Sequence, residues 1–276
     1  MLLFLTYLRH VMRVLRAVYA PGLWRLLGWM EAHNHAFDLY SETELHHGRI
    51  PLDAYRAVVL DQHPEYWSTQ MFEAVKSWVD NRGGRVMYLG GCGLYAEVTF
   101  ETTQPPTTDA GGADGDGIDT ILCHREGKAQ FGGLLGVQYD HDGFIEFDKS
   151  GRPIGPSGAP FKVAATAVQH LPWIFEGSGL KAGDLFGMES LHTRVMGGAS
   201  AHELDKIGEH SPPGTVLLAK GQNRGGGGAE VAYYDTASGG RVFAASSLCW
   251  VLALPIDQGV SKITDNVLKA FTAPPP

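Results

Sequence analysis

Cysteine is scarce in this chain: Cys92, Cys123 and Cys249 are the only three, widely spaced and without a CxxC pair. An odd number with no paired spacing signals neither a disulfide framework nor a zinc site, and it fits a reducing cytoplasm. Basic residues are also few. With 22 Lys and Arg against 30 Asp and Glu, a formal charge of -8 and no basic cluster, the chain lacks the positive surface that a nucleic-acid backbone requires. The expected partner is a small molecule or a protein. Long uncharged runs are missing too. The greasy opening MLLFLTYLRHVMRVLRAVYA is broken by Arg9, Arg13 and Arg16, and its first uncharged run is 8 residues, against the ~20 that span a bilayer. No basic region precedes that run and no small-residue cleavage site follows it, which argues against a signal peptide. No membrane span and no internal repeat are expected.

What is present is enough apolar sequence for one sizeable core: 276 residues, 44% hydrophobic, read as a single α/β domain over 1–276 with a β-rich excursion at about 101–180. The chain is organised around Ala57 to Tyr95. Ala57 to Leu60 reads as a short buried strand, stopped by the polar turn Asp61-Gln62-His63-Pro64-Glu65-Tyr66. From Ser68 to Asn81, Met71, Phe72, Val75, Trp78 and Val79 fall on one helical face, and Gly83-Gly84 ends the pattern. A second strand, Arg85 to Leu89, runs into Gly90-Gly91-Cys92-Gly93, where small residues permit turns closed to larger ones. In a parallel α/β sheet the carboxyl ends of neighbouring strands share one edge, so the two turns should face one crevice.

Around this unit the periodicity predicts a strand at 2–5, helices at 11–19 and 21–32, and a strand over Ala36 to Ser41. The first strand has no lead-in, which suggests a fragment of a longer chain or a further docking segment. His46-His47 reads as a solvated loop rather than a metal site, because adjacent side chains seldom point at one ion. Pro105 to Gly117 reads as a surface loop, and IDTILCH, GLLGVQYD and FIEFD as strands of the excursion. Gly183 to Glu189 resembles a loop over the site. Val216 to Ala219 is a strand, and Gly225 to Gly228 is a loop rather than a phosphate cradle, since no Lys-Ser/Thr follows it. A hairpin joins Val231–Thr236 to Arg241–Ala245. SSLCWVLALP is a loop or strand, and SKITDNVLKAF a terminal helix.

Several blocks carry a resemblance. HPEYW, GGRVMYLGGCGLY, GASAHELDK, GGRVFAASSLCWVLALP and VSKITDNVLKAF, in that order, resemble the C-terminal domain of the large (beta) subunit of N,N-dimethylformamidase and its relatives, over about residues 1–271. The resemblance implies a class I glutamine-amidotransferase-like (flavodoxin-like) fold with a mostly parallel sheet. It also implies amide hydrolysis of a small N-substituted substrate and a mononuclear Fe3+ site of two tyrosines and a glutamate. A small subunit and self-association are the implied assembly. The chain departs from the family pattern at Cys92, where Asn is usual, at Lys206, where Arg is usual, and at Gln130, where Glu is usual. The family's N-terminal jelly-roll-like half has no counterpart in these residues.

Each candidate has a plain reading beside the functional one. Tyr66 is a phenolate ligand or the aromatic lid of its turn. His63 is a base, an orienter of one, or a backbone hydrogen-bonding histidine. Glu65 is a general base or a cap for the following helix. Cys92 is a thiolate nucleophile working with His202 and Glu203, or an ordinary small residue at a tight turn. Glu203 is a metal ligand or base, or one of a helix-face acid pair with Asp205. The second tyrosine of a metal site is Tyr40 or Tyr7, both at expected strand ends, whereas Tyr88 reads as core.

Overall fold

The computed structural model describes residues 19–103, 118–127, 131–141, 158–192, 195 and 197–274. The expected strand at 2–5, the helix from residue 11, Tyr7, the loop 105–117, Gln130 and the FIEFD run lie outside them. In chain order the helices are α1 (Tyr19–Ala32), α2 (Glu42–His46), α3 (Thr69–Arg82), α4 (Gly132–Leu135), α5 (Ala167–His170), α6 (Pro172–Phe175), α7 (Cys249–Ala253) and α8 (Gln258–Thr272). The strands are β1 (Val58–Gln62), β2 (Tyr66–Trp67), β3 (Arg85–Gly90), β4 (Ala96–Thr103), β5 (Ile118–Gly127) and β6 (Gln138–His141). They continue with β7 (Phe161–Val163), β8 (Leu185–Phe186), β9 (Leu204–Lys206), β10 (Val216–Gly221), β11 (Glu230–Asp235) and β12 (Arg241–Ala244).

Helix α3 forms where its apolar spacing places it. Ser68 caps it by accepting the Met71 N–H, and Gly83 ends it in the left-handed conformation at φ 71°, as a helix terminus requires. Its buried face is Met71, Phe72, Val75, Trp78 and Val79. That face packs with Val86, Tyr88, Val242 and Ala244, while the alternate residues Met87, Leu89, Phe243 and Ala245 pack with α7 and α8 through Trp250, Val260 and Ile263. Side chains alternate across a strand, so β3 and β12 are sandwiched between two helical layers. Burying each such side chain contributes about 1.5–3 kcal/mol.

The principal sheet has seven strands in the order β1-β3-β12-β11-β10-β7-β8. Only β1 with β3 and β3 with β12 pair in parallel; the other four neighbouring pairs are antiparallel. This overturns the expected flavodoxin-like, mostly parallel sheet. The reason lies in the connections: β11 and β12 are joined through the tight turn at Thr236–Gly240, and links that short join antiparallel strands alone. A second sheet, β2-β4-β5, and the pair β6-β9 complete the strands.

Other local expectations change as well. Residues 36–41 form no strand; Leu39 and Tyr40 are exposed, and Ser41 instead caps α2 in a capping box with Glu44. GLLGVQYD splits into the single turn α4, ended by Gly136 at φ 77°, and strand β6. SSLCWVLALP contains a buried helix, since a short apolar run is compatible with either element. Gly183 to Glu189 contains β8, the last strand of the principal sheet. No helix among the described residues is long and apolar enough to cross a membrane.

Candidate functional site

The three parallel strands end side by side, and the chain leaves each of them through a turn. Gly91 N–H donates to the Gln62 carbonyl at 3.0 Å, Leu94 N–H to Pro64 at 2.7 Å and Ala96 N–H to Glu65 at 3.0 Å. The HPEYW and GGCG turns therefore line one crevice, as their strand ends require. A third segment, residues 201–205, closes it. It is tied to the end of β12 by Asp205 N–H to Ser246 and Leu248 N–H to His202. A Cβ on Gly91 would lie 1.9 Å from the Glu203 carbonyl oxygen, so this approach needs glycine.

The backbone here is strained. Gln62, Cys92, Leu94, His202, Glu203 and Ser246 have φ between 48° and 64°, and among the described non-glycine residues only Asn34 shares that sign. Left-handed geometry costs an L-residue about 1–2 kcal/mol and persists where the surroundings over-determine it, as at ligand and catalytic sites.

Titratable groups from all three segments meet in the crevice. His63 Nε2 lies 2.5 Å from Glu203 Oε2 and 3.3 Å from Glu65 Oε2, and His202 Nε2 lies 3.7 Å from Glu203 Oε1. Burial alone would lower the His63 pKa, but the hydrogen bond and charge of Glu203, with the charges of Glu65 and Asp205, outweigh it and raise it. Glu65 is raised, chiefly by burial, although the charge of His63 and hydrogen bonds from Tyr66 and Cys92 oppose this. The capping reading of Glu65 is not seen, because Ser68 caps α3. Tyr66 donates to Glu65 and is 47% exposed, so its hydroxyl is reachable from solvent; burial of the remainder and the Glu65 charge push it up to about 12.

Asp205 is the buttress beneath these groups. Its Oδ1 accepts the Cys92 N–H at 3.0 Å, its Oδ2 accepts the Tyr88 hydroxyl at 2.7 Å, and the Gly93 N–H also turns toward it. Complete burial pushes its carboxyl up to about 7. Tyr88 is the core residue expected, with its hydroxyl aimed at this acid. Because Asp205 takes the backbone N–H of Cys92, and because β4 rather than a helix follows the turn, the helix-terminus route to a lowered thiol pKa is missing.

The side-chain donors of His63, Cys92 and Glu203 lie within 4.8 Å of one another. Imidazole, thiolate and carboxylate from three segments form a donor set that fits a single metal ion. Its imidazole and sulfur differ from the two tyrosines that the resemblance implies beside a glutamate; Tyr66 stands one residue beyond Glu65 in the same turn. Tyr40 lines the cavity that His63 also lines, but its hydroxyl pairs with that of Tyr55 at 2.8 Å, and Tyr55 donates to Asp38. Tyr95 immediately precedes the neighbouring strand β4, whose first residue, Ala96, is in register with Tyr66. His46 bonds Ser68 and stacks on Phe100 while His47 meets its edge, so the pair braces α3.

Two features went unread in the sequence. His192, outside every motif, has its Nε2 2.9 Å from His202 Nδ1. Asp61, two residues before HPEYW, has an Oδ1 with no hydrogen-bond partner among the described residues, and burial pushes its carboxyl up to about 7. Asp61 and His63 also line a cavity of about 570 Å³ whose other walls include Leu26, Met30, Leu60 and Leu268.

The family described as N,N-dimethylformamidase beta subunit-like, C-terminal, matches residues 16–265. Two curated relatives are each named N,N-dimethylformamidase beta subunit. The one from Alcaligenes sp is 26% identical over 299 residues, covering 91% of this chain and 36% of its own length. The one from Paracoccus aminophilus is 26% identical over 294 residues, with the same 91% and 36% covered. The chain thus spans 36% of the length of these relatives, and their names mark each as one subunit of an enzyme.

Proposed function

Because the chain belongs to the N,N-dimethylformamidase beta subunit-like, C-terminal family, we propose that it hydrolyses the C–N bond of small N-substituted amides in the crevice of His63, Glu65, Cys92 and Glu203. The observation that carries this reading is the convergence of three metal-competent side chains, beside a second carboxylate, on strained turns at one sheet edge. Glu203 would hold the ion with Tyr66 adjoining, His63 and Cys92 lining the same place, and the resemblance makes iron the expected metal. Bound there, iron would polarise the amide carbonyl and acidify a water molecule.

The chain's own groups would manage the protons. Glu65, raised by burial, accepts the proton from the attacking water and returns it to the departing nitrogen, so that amide and water become acid and amine. His63 donates from Nε2 to Glu203 and holds that carboxylate toward the crevice. The apolar cavity behind His63 would receive the N-alkyl groups. A partner subunit, as the names of the relatives imply, would complete the assembly.

A second reading has Cys92 as a nucleophile activated by His63, favoured by its left-handed turn, φ 54°, and its closeness to that ring. One set of measurements separates the two. The full chain is purified with iron supplied, and its metal content, visible spectrum and release of dimethylamine from N,N-dimethylformamide are recorded. Bound iron, a tyrosinate charge-transfer colour lost in Tyr66→Phe, and amine release that stops on chelation would support the metal reading. Amine release without metal that is abolished by thiol alkylation would replace it with the cysteine one, and no release under either condition would sink both. Parallel Tyr40→Phe and Tyr95→Phe variants identify any second phenolate.

A further inference from the structure

We propose that His192 is a positioning residue: it dictates which ring nitrogen of His202 carries the proton, and so which face His202 turns to Glu203. The inference begins from a group with no choice. The backbone N–H of Val195 can only donate, and it lies 2.8 Å from His192 Nδ1. That nitrogen must therefore offer its lone pair, which leaves the proton of the neutral ring on Nε2. His192 Nε2 is 2.9 Å from His202 Nδ1, so the His192 N–H donates and His202 Nδ1 accepts. His202 then carries its own proton on Nε2, the atom 3.7 Å from Glu203 Oε1.

One backbone donor thus sets two tautomers in sequence and delivers an N–H, rather than a lone pair, to the acid at the centre of the crevice. Both rings are buried, at 5% and 8% exposure, so water does not compete for these nitrogens. Their planes are inclined at 75° with centroids 5.0 Å apart, which lets each ring point a nitrogen at the other. The left-handed backbone of His202 and Glu203, φ 58° and 57°, keeps the second ring from relaxing away. With the opposite tautomer, the Nε2 lone pair would face the Glu203 carboxylate and turn it out of the orientation it holds between His63 and His202. Partners of this kind, one bond removed from a ligand or base, tune its orientation and basicity.

The catalytic consequence rests on the amide-hydrolase reading, but the tautomer does not, and the test uses that separation. In the full chain labelled with 15N-histidine, any paramagnetic ion being replaced by gallium(III), ring 15N shifts report which nitrogen is protonated. His202→Gln identifies the His202 signals by their loss. The wild type should show His202 protonated at Nε2, and His192→Phe should convert it to a mixture of tautomers. In His192→Gln the side-chain amide still donates to His202 Nδ1 and should restore the wild-type pattern. In turnover of N,N-dimethylformamide, His192→Phe should lose about 10–100-fold in kcat with KM little changed, and His192→Gln should recover most of it. Protonation of wild-type His202 at Nδ1, or signals unmoved in His192→Phe, would overturn the proposal. Equal damage in the Phe and Gln variants would reduce His192 to a packing residue. Should the Phe variant fail to fold, the wild-type tautomer and the Gln variant decide the matter.

Discussion

Removing the Tyr88 hydroxyl should loosen the crevice without touching its reactive groups. Tyr88 is fully buried, and its hydroxyl donates to Asp205 Oδ2 at 2.7 Å, while Oδ1 of the same acid accepts the Cys92 N–H. Phenylalanine keeps the ring in the core and strands one buried oxygen, which costs about 1–3 kcal/mol. For a chain of this size that is a fall in Tm of roughly 2–4 °C for each kcal/mol. Asp205→Ala should cost more, about 3–5 kcal/mol, because a hydroxyl and two backbone N–H groups lose their acceptor together and a cavity opens. If the two residues act through one bond, Asp205→Ala should cost less in the Tyr88→Phe background than in the wild type. The expected coupling is about 1–2 kcal/mol. Urea unfolding of the four proteins measures this, provided that the transitions are two-state and m is constant. Strict additivity of the two substitutions would show that the hydroxyl and the acid do not support each other.

Val75 is fully buried on α3, so Val75→Asp forces an unpaired carboxylate into the core and should cost several kcal/mol or abolish folding; a variant that melts like the parent contradicts the layer described for α3. Cys92→Asn restores the residue usual in the family, and under the metal reading it should keep or raise amide turnover, whereas complete loss with the fold intact would favour the cysteine mechanism. Asp265 on α8 takes Lys269, His35 and Lys262 as partners; burial would raise its pKa, but these groups outweigh it and hold it below its ordinary value. A carboxyl depressed in the folded state stabilises fully above its unfolded pKa and loses that contribution as pH falls through the folded one. Asp265→Asn should therefore melt below the wild type at about pH 5, with the gap narrowing toward about pH 3. A gap constant over that range would show that the carboxylate charge is not what matters.

The parts of the fold legible in the sequence are those decided locally. Helix α3 announces itself because Ser68, Gly83 and five apolar positions at helical spacing act within one segment. The strands β1 and β3 follow from continuous apolar runs, and their shared edge follows from a parallel pair linked by a helix. The direction of the remaining strands is decided by neighbours far apart in the chain. The β11–β12 hairpin was readable, yet its antiparallel pairing also reverses β11 against β3, and that consequence is visible only once the strand order is known. Residues 36–41 and 249–253 show the converse limit: their apolar content suits either a strand or something else, and capping at Ser41 or burial around Trp250 settles the matter.

The candidate site divides along the same line. His63, Glu65, Tyr66, Cys92, His202 and Glu203 stand in short, chemically dense motifs, and the structure brings all six into one crevice. Tyr40 is singled out in the sequence by the end of an expected strand; no strand forms there, and its hydroxyl is paired with Tyr55 in a wall of the cavity that His63 also lines. Asp205 stood in view as half of an acid pair, but its role as acceptor for Tyr88 and Cys92 depends on contacts more than 100 residues away in sequence. His192 has no local signal, because what defines it is one backbone N–H and one ring nitrogen supplied by the fold. The residues proposed to react are thus written as motifs, whereas those that hold turns in place are distributed along the chain. The positive φ values explain why both kinds are needed: six strained residues at one edge are tolerated only if groups such as Asp205, bound to the backbone they strain, make the alternative conformations cost more.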